Sequence, residues 1–230
     1  YHCRNTNLMK KGSIRLLLIG PPGVGKGTQA KFLVDHFVIP QISTGEILRE
    51  NVHNNTELGN EAQGYMQTGD LVPDSVILNM MSERLTEDDC NNGYILDGFP
   101  GTIPQAEGLD RLLNELSQQL KCVVVMNIVD SIIIDRLSNR RSCKECNQVY
   151  NLLFDPPLNS GKCTKCNGDL FIREDDIPDT IQQRLNVYHK KTEPVIQYYI
   201  QQGTVETIDA SGSIDEIKSN IIRQILTIND

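Results

Sequence analysis

The stretch Gly20-Pro-Pro-Gly-Val-Gly-Lys-Gly-Thr28 places glycines, one lysine and one hydroxyl at a spacing suited to a polyphosphate. Glycines let successive backbone N–H groups turn toward an anion, because no Cβ blocks unusual φ values or close approach. Lys26 supplies a cation for the β and γ phosphates, and the helix expected beside it adds unpaired N–H donors and the positive end of its dipole. The chemistry implied is the holding, and potentially the transfer, of a phosphoryl group. One detail departs from ordinary P-loop NTPases, which put Ser or Thr directly after the lysine to bind Mg²⁺. Here Gly27 follows Lys26 and the hydroxyl moves to Thr28.

A second constellation is made of thiols. Cys143-x-x-Cys146 and Cys163-x-x-Cys166 are separated by 16 residues, a spacing that reads as a four-cysteine Zn²⁺ site. Each pair presents two thiolates to one side, and two pairs complete a tetrahedron with no position left for water, so the metal is structural. The residues between them, Tyr150 through Gly161, read as short hairpin strands with turns. A redox dithiol is the weaker alternative.

Charged residues supply the third. Asp97 ends the apolar run Tyr94-Ile-Leu-Asp97 and precedes Gly98-Phe-Pro100. An acid at the carboxyl end of a parallel strand faces the ligand crevice, where it could hold Mg²⁺ through water; a turn-forming Asp-Gly is the plainer reading. Arg136 and Arg140 are four apart and are expected to share one helix face toward the cysteine insert. Arg173 lies just past the insert beside Asp175 and Asp176, and Arg184 follows on a helix opened by Pro178. Taken together, these four arginines could surround a triphosphate, whose transfer needs cationic clamps. His2, His36, His53 and His189 show no ligand-like spacing, and Cys3, Cys90 and Cys122 read as spare thiols.

These groups need a frame. Ile14 to Ile19 reads as a strand, followed by the glycine loop and a helix to about Phe37. Ser43 or Thr44 can cap a short helix, and a second helix runs from Thr56 to near Gly69. Pro73-Asp74 opens a helix to about Leu85, Tyr94 to Asp97 is a strand, and Thr102 to Leu120 is helical. Cys122 to Met126 is a strand and Ser131 to about Arg141 a helix. Such alternation indicates an α/β fold, a doubly wound parallel sheet, with the ligand where the glycine loop, Asp97 and the loop after Asn127 converge.

Bulk properties agree. The 230 residues, 39% hydrophobic, suffice for one core with inserts, and the net charge of −8 argues against a nucleic-acid binder. No apolar run reaches the roughly 18 residues of a membrane span. Paired CxxC elements within an odd total of 7 cysteines favour metal in a reducing, cytoplasmic compartment over disulfides. Residues 1–12 read as a flexible polar extension. The chain begins at Tyr1 rather than Met, so an upstream signal or lipid anchor stays open.

With these motifs in place, the sequence resembles adenylate kinase in its long form, with a zinc-bearing lid, over nearly the whole chain from Ile14 to Ile228. The glycine loop with its glycine after the lysine, Gln41-Ile-Ser-Thr-Gly-Glu-Ile-Leu-Arg49 and Asp97-Gly-Phe-Pro100 carry the likeness. It implies a three-layer P-loop fold with a core of 13–42, 73–135 and 177–230, an AMP-binding helical insert of 43–72 and a lid of 136–176. It implies reversible transfer from Mg·ATP to AMP, giving two ADP, by a monomer. ATP would lie on Gly20, Gly23, Val24, Gly25, Lys26, Gly27 and Thr28 with Arg136 and Arg140. AMP would lie on Thr44, Gly45, Arg49, Leu71, Val72, Gly98 and Gln105 with Arg173 and Arg184. Lys26, Asp97 and the four arginines would be the catalytic set.

One position breaks the pattern. The family continues Asp-Gly-Phe-Pro-Arg-Thr, its arginine gripping the AMP phosphate, whereas this chain has Gly101 before Thr102. Losing a charge-assisted hydrogen bond costs about 1.5–3 kcal/mol, which predicts weakened AMP binding with catalysis retained. A GTP:AMP or other nucleoside monophosphate kinase, and a catalytically impaired kinase-fold binding protein, are the alternatives.

Overall fold

A computed structural model describes residues 14–203 and 205–227. Its centre is a parallel sheet built from β1 (Ile14–Ile19), β2 (Gln41–Ser43), β3 (Gly93–Asp97), β4 (Cys122–Asn127) and β8 (Val205–Asp209), in the order β2-β3-β1-β4-β8. Side chains alternate across these strands. Leu16, Leu18, Val124 and Met126 pack on one face with α1 (Lys26–Phe37) and α9 (Ile214–Thr227). Leu17, Ile19, Val123 and Val125 pack on the other with α4 (Asp74–Arg84), α5 (Ile103–Glu115) and α8 (Glu193–Ile200). Apolar runs buried on both faces are what a three-layer α/β sandwich requires.

Two excursions leave this frame. Between β2 and α4 lie α2 (Thr44–His53) and α3 (Glu57–Thr68), which pack on each other. Thr56 caps α3 by accepting from Gly59 N at 3.0 Å, and Gly69 ends it at φ 80. After α6 (Asp130–Ser138) comes a small antiparallel sheet, β6-β5-β7, from β5 (Arg140–Cys143), β6 (Val149–Asn151) and β7 (Leu170–Phe171). The chain returns through α7 (Pro178–Val187), a π-helical turn at Tyr188–Thr192, and α8.

Three points of the sequence reading need correction. β2 was not anticipated; its three residues become a strand through parallel pairing with β3, Gln41 opposite Ile95 and Ser43 opposite Asp97. The helix expected to run to Leu120 stops at Glu115, with Ser117 at φ 54. Of the two expected caps, Ser43 does occupy the N-cap position of α2, although its side chain makes no cap bond, while the Thr44 hydroxyl donates to Gly98 O at 3.1 Å. Arg136 and Arg140 do not share a helix face, because α6 ends at Ser138 and Arg140 opens β5, paired with Asn151. The antiparallel ladder claims Arg140 for the small sheet.

Among the described residues no helix is long and apolar enough to cross a membrane. The extension expected over 1–12, with His2 and Cys3, lies outside the described residues. Cys90 and Cys122 are buried free thiols, Cys122 within β4.

Candidate active site

The glycine loop leaves β1 at the carboxyl edge of the sheet and turns directly into α1. Gly25 stands at φ 112, a left-handed conformation that strains any side chain. A Cβ at Gly20 would lie 2.5 Å from Met126 O, so close approach of the loop to β4 also demands glycine. Lys26 Nζ curls back over the loop and donates to Gly20 O at 2.6 Å and Pro21 O at 3.0 Å. Burial lowers its pKa to about 8, with Asp97 opposing the shift and Arg184 and Arg140 adding to it. The half-buried ammonium thus faces the cleft beside Arg184 and Arg140, ready for an anion.

Asp97 closes β3 next to this loop. A Cβ at Gly27 would stand 3.7 Å from Asp97 Oδ2, an ordinary contact, so the residue after the lysine lies directly beside this carboxylate. Gln41 Nε2 donates to Asp97 Oδ2 at 2.9 Å. Burial raises the Asp97 pKa, while Lys26 and Gln41 favour its charged form. Gln41 escaped the sequence reading because its relation to Asp97 exists only once β2 pairs with β3.

Arginines and acids form a ring above. Arg140 donates from Nε and Nη2 to the two oxygens of Asp176 at 2.7 and 2.5 Å, a bidentate pair. Arg184 Nη1 lies 3.0 Å from Asp175 Oδ2 and 3.1 Å from Asp176 Oδ1. Arg49 Nη2 donates to Glu46 Oε1 at 2.6 Å, and Arg173 Nη2 reaches the same oxygen at 3.1 Å. Ser142 on β5 fixes Arg173 by accepting from its Nε at 2.7 Å. Arg49 Nε is buried without a hydrogen-bond partner. Burial disfavours the charged forms of Glu46 and Asp175, yet the arginines outweigh it and hold both below the usual carboxylate range. Burial lowers the Arg173 pKa to about 10, with Arg49 and Arg140 adding to the effect. These acids stand where anionic oxygens would satisfy the same guanidiniums. Glu46 was not foreseen from sequence as a member of the ring.

Arg136 plays a different part. It donates to Val24 O and Ala210 O, both at 3.0 Å, tying the glycine loop to the β8–α9 connection rather than pointing into the small sheet.

The glycine loop, Asp97, Glu46, Asp175 and the arginines line one cleft of about 1440 Å³. The sequence-derived residues Gly20, Gly23, Val24, Gly25, Lys26, Gly27 and Thr28 face it beside Asp97, Arg136 and Arg140. So do Thr44, Gly45, Arg49, Leu71, Val72, Gly98 and Gln105, with Arg173 and Arg184. The Gln105 amide is already engaged, accepting from Gly101 N at 2.7 Å and donating to Asp74 Oδ1 at 2.8 Å. Gly101 is buried, carries no left-handed φ, and a Cβ there would meet nothing closer than 3.5 Å.

The four cysteines come together in the small sheet. Cys143 and Cys166 sulfurs are 3.4 Å apart, Cys146 and Cys163 3.6 Å, and Cys146 and Cys166 3.3 Å. All four lie within 4.8 Å of one another. A tetrahedron with metal–sulfur bonds of about 2.3 Å has edges of about 3.8 Å, so the donor set suits a metal ion. The two turns are copies of each other. Asn147 and Asn167, at φ 55 and φ 60, follow the second cysteine of each pair. Their N–H groups donate to Cys143 O at 3.2 Å and Cys163 O at 2.8 Å. The Asn after each CxxC was a sequence signal for this turn that went unread.

Comparison with known proteins places this geometry. The family model described as adenylate kinase matches residues 18–204. An adenylate kinase of Thermodesulfovibrio yellowstonii is 49% identical over 208 residues, covering 90% of this chain and 97% of that protein. One from Methanothrix thermoacetophila is 47% identical over 208 residues, 90% of this chain and 96% of its own. One from Clostridium kluyveri is 46% identical over 204 residues, 89% and 94% respectively.

Proposed function

The chain belongs to the adenylate kinase family, and from that premise we propose how its residues divide the work of an ATP:AMP phosphotransferase. The glycine loop and Lys26 hold the β and γ phosphates of ATP, with Arg136 and Arg140 on the same nucleotide. Thr44, Gly45, Arg49, Leu71, Val72, Gly98 and Gln105 receive AMP, and Arg173 and Arg184 bracket the transferred group. An AMP phosphate oxygen attacks the γ phosphorus in line; that bond forms as the bond to the β-bridging oxygen breaks, and two ADP result. No covalent enzyme intermediate is needed. The observation that carries this assignment is the convergence of Lys26, Asp97 and five arginines on a single cleft.

Each guanidinium of the ring exchanges a carboxylate of Glu46, Asp175 or Asp176 for phosphate oxygens, so little is reorganised when charge spreads over the γ-phosphoryl group. Mg²⁺ enters with ATP; Asp97, its carboxylate already oriented by Gln41, would hold it there and the ion would neutralise phosphate charge. Segment 43–72 serves as the AMP-binding insert and 136–176 as the lid, both acting to keep water from the γ phosphate.

Cys143, Cys146, Cys163 and Cys166 would hold structural Zn²⁺, and the tetrathiolate would brace the lid. Support comes from the sulfur spacing and the repeated turns. Tetrathiolate ligation needs reduced cysteines, which suits a cytoplasmic chain, and a cleft completed by one chain suits a monomer. The reading as an impaired binding protein finds no support in a site so fully assembled.

Gly101 weakens the acceptor end. The atoms nearest to a Cβ there belong to the uncharged side chains of Gln105 and Leu71, and none is closer than 3.5 Å, so the backbone accepts a Cβ. Gly101→Arg is expected to lower KM for AMP about ten- to a hundredfold with KM for ATP little changed. Steady-state kinetics with each nucleotide varied checks this; an unchanged KM for AMP would count against it.

A further inference from the structure

The helical rod from Pro178 to Ile200 is not uniform. Pro194 has no N–H to give and its ring crowds the carbonyl four residues back, so the rod widens into a π-helical turn at Tyr188–Thr192. Glu193 N bonds Tyr188 O across it, five residues back. π turns of this kind concentrate at functional positions.

Inside a helix a threonine hydroxyl ordinarily bonds a carbonyl of its own preceding turn. Thr192 does not. Its Oγ1 donates to Gly101 O at 2.9 Å, across 91 residues of sequence. The other backbone group of Gly101 is also held by a side chain, its N–H donating to Gln105 Oε1 at 2.7 Å. Gly101 itself has no Cβ to pack, although its backbone conformation and surroundings would accept one. The loop that links Asp97 to α5 therefore ends in the residue type with the greatest backbone freedom, and two side chains supply the restraint.

We propose that Thr192 is a positioning residue for the acceptor nucleotide, holding the Gly98–Gly101 loop in register with Thr44 and Arg49. Thr44 ties the loop at Gly98 and Thr192 ties it at Gly101. The same rod carries Arg184 on α7, so the acceptor loop and a phosphate clamp share one support. The proposal rests on the reading of this loop as part of the AMP site.

Steady-state kinetics of Thr192→Val, Thr192→Ala and Thr192→Ser, with Arg49→Ala alongside, tests it. Loss of the hydroxyl in either Val or Ala variant should raise KM for AMP about tenfold, while KM for ATP and kcat stay within about twofold. Ser should restore the parent value. Wild-type KM for AMP in both variants, or a parallel change in kcat and both KM values, overturns the proposal. If Arg49→Ala raises KM for AMP and the Thr192 variants do not, only the positioning role fails. If Arg49→Ala also leaves KM for AMP unmoved, the AMP-site reading itself fails and the proposal with it.

Discussion

Lys26→Met is expected to lower kcat about 10²–10³-fold, the usual consequence of removing one preorganised charge donor from a transition state, without lowering thermal stability. The argument has two halves. Lys26 is the cation seated within the glycine loop itself, and its free-state partners, Gly20 O and Pro21 O, are neutral carbonyls that phosphate oxygens can replace. Burial, moreover, holds its pKa near 8 against an ordinary 10.5. A base whose folded pKa is depressed makes the fold less stable wherever the unfolded chain binds the extra proton, so stability rises as pH climbs from about 8 toward 10.5. Methionine keeps the volume and removes the buried charge. The same shift sets a pH signature. Above about pH 8 the free enzyme loses the Lys26 proton, and the KM for ATP should rise toward tenfold per pH unit in the parent but not in the methionine variant. ADP production measured from pH 6.5 to 9.5, with thermal melts, checks both halves. A variant with parental kcat would remove Lys26 from the mechanism.

The second large effect concerns the four thiols. The buried cluster of the lid consists of Cys143, Tyr150 and Cys163, with Cys146 and Leu170 packed against it. Three of those five are proposed ligands, so without metal the small sheet retains almost no core. Structural zinc supplies about 10 kcal/mol or more to such knuckles, far above what Tyr150 and Leu170 provide. Cys163→Ser, or removal of zinc by a chelator, is therefore expected to unfold the lid while the parallel sheet persists. Activity should fall with it, by about 10²-fold or more. Arg140 opens β5, and Arg173 is anchored to Ser142 on the same strand. Metal analysis should find one zinc per chain, and limited proteolysis should cut within 143–166 only after chelation. Chelated protein that kept both its activity and its protease resistance would refute the structural role.

What the sequence disclosed depends on how local each cause is. The glycine loop between β1 and α1 was legible because an apolar run, left-handed glycines and a lysine lie within 13 residues. The thiol cluster was legible because two copies of one local turn make it. Arg140 was misplaced because Ser131 to Arg141 suits a helix by propensity, and only pairing with Asn151 pulls Arg140 into a strand. β2 carries no strand signal of its own for a similar reason: with polar Gln41 and Ser43 flanking one apolar residue, it becomes a strand only when β3 lies beside it. At the site, the arginines were visible by type, but the pairing of Arg49 and Arg173 on one oxygen of Glu46 spans 127 residues of sequence. Thr192, tied to Gly101, gave no signal either. Residues that act through a partner distant in sequence are hidden from spacing arguments, and they make up most of what the fold added to the site.

The most direct test follows the phosphoryl group itself. ATP labelled in its γ phosphate, mixed with unlabelled AMP and Mg²⁺, should deliver the label to the β position of newly formed ADP, with two ADP appearing for each AMP consumed. Release of the label as inorganic phosphate at a rate independent of AMP would contradict the account.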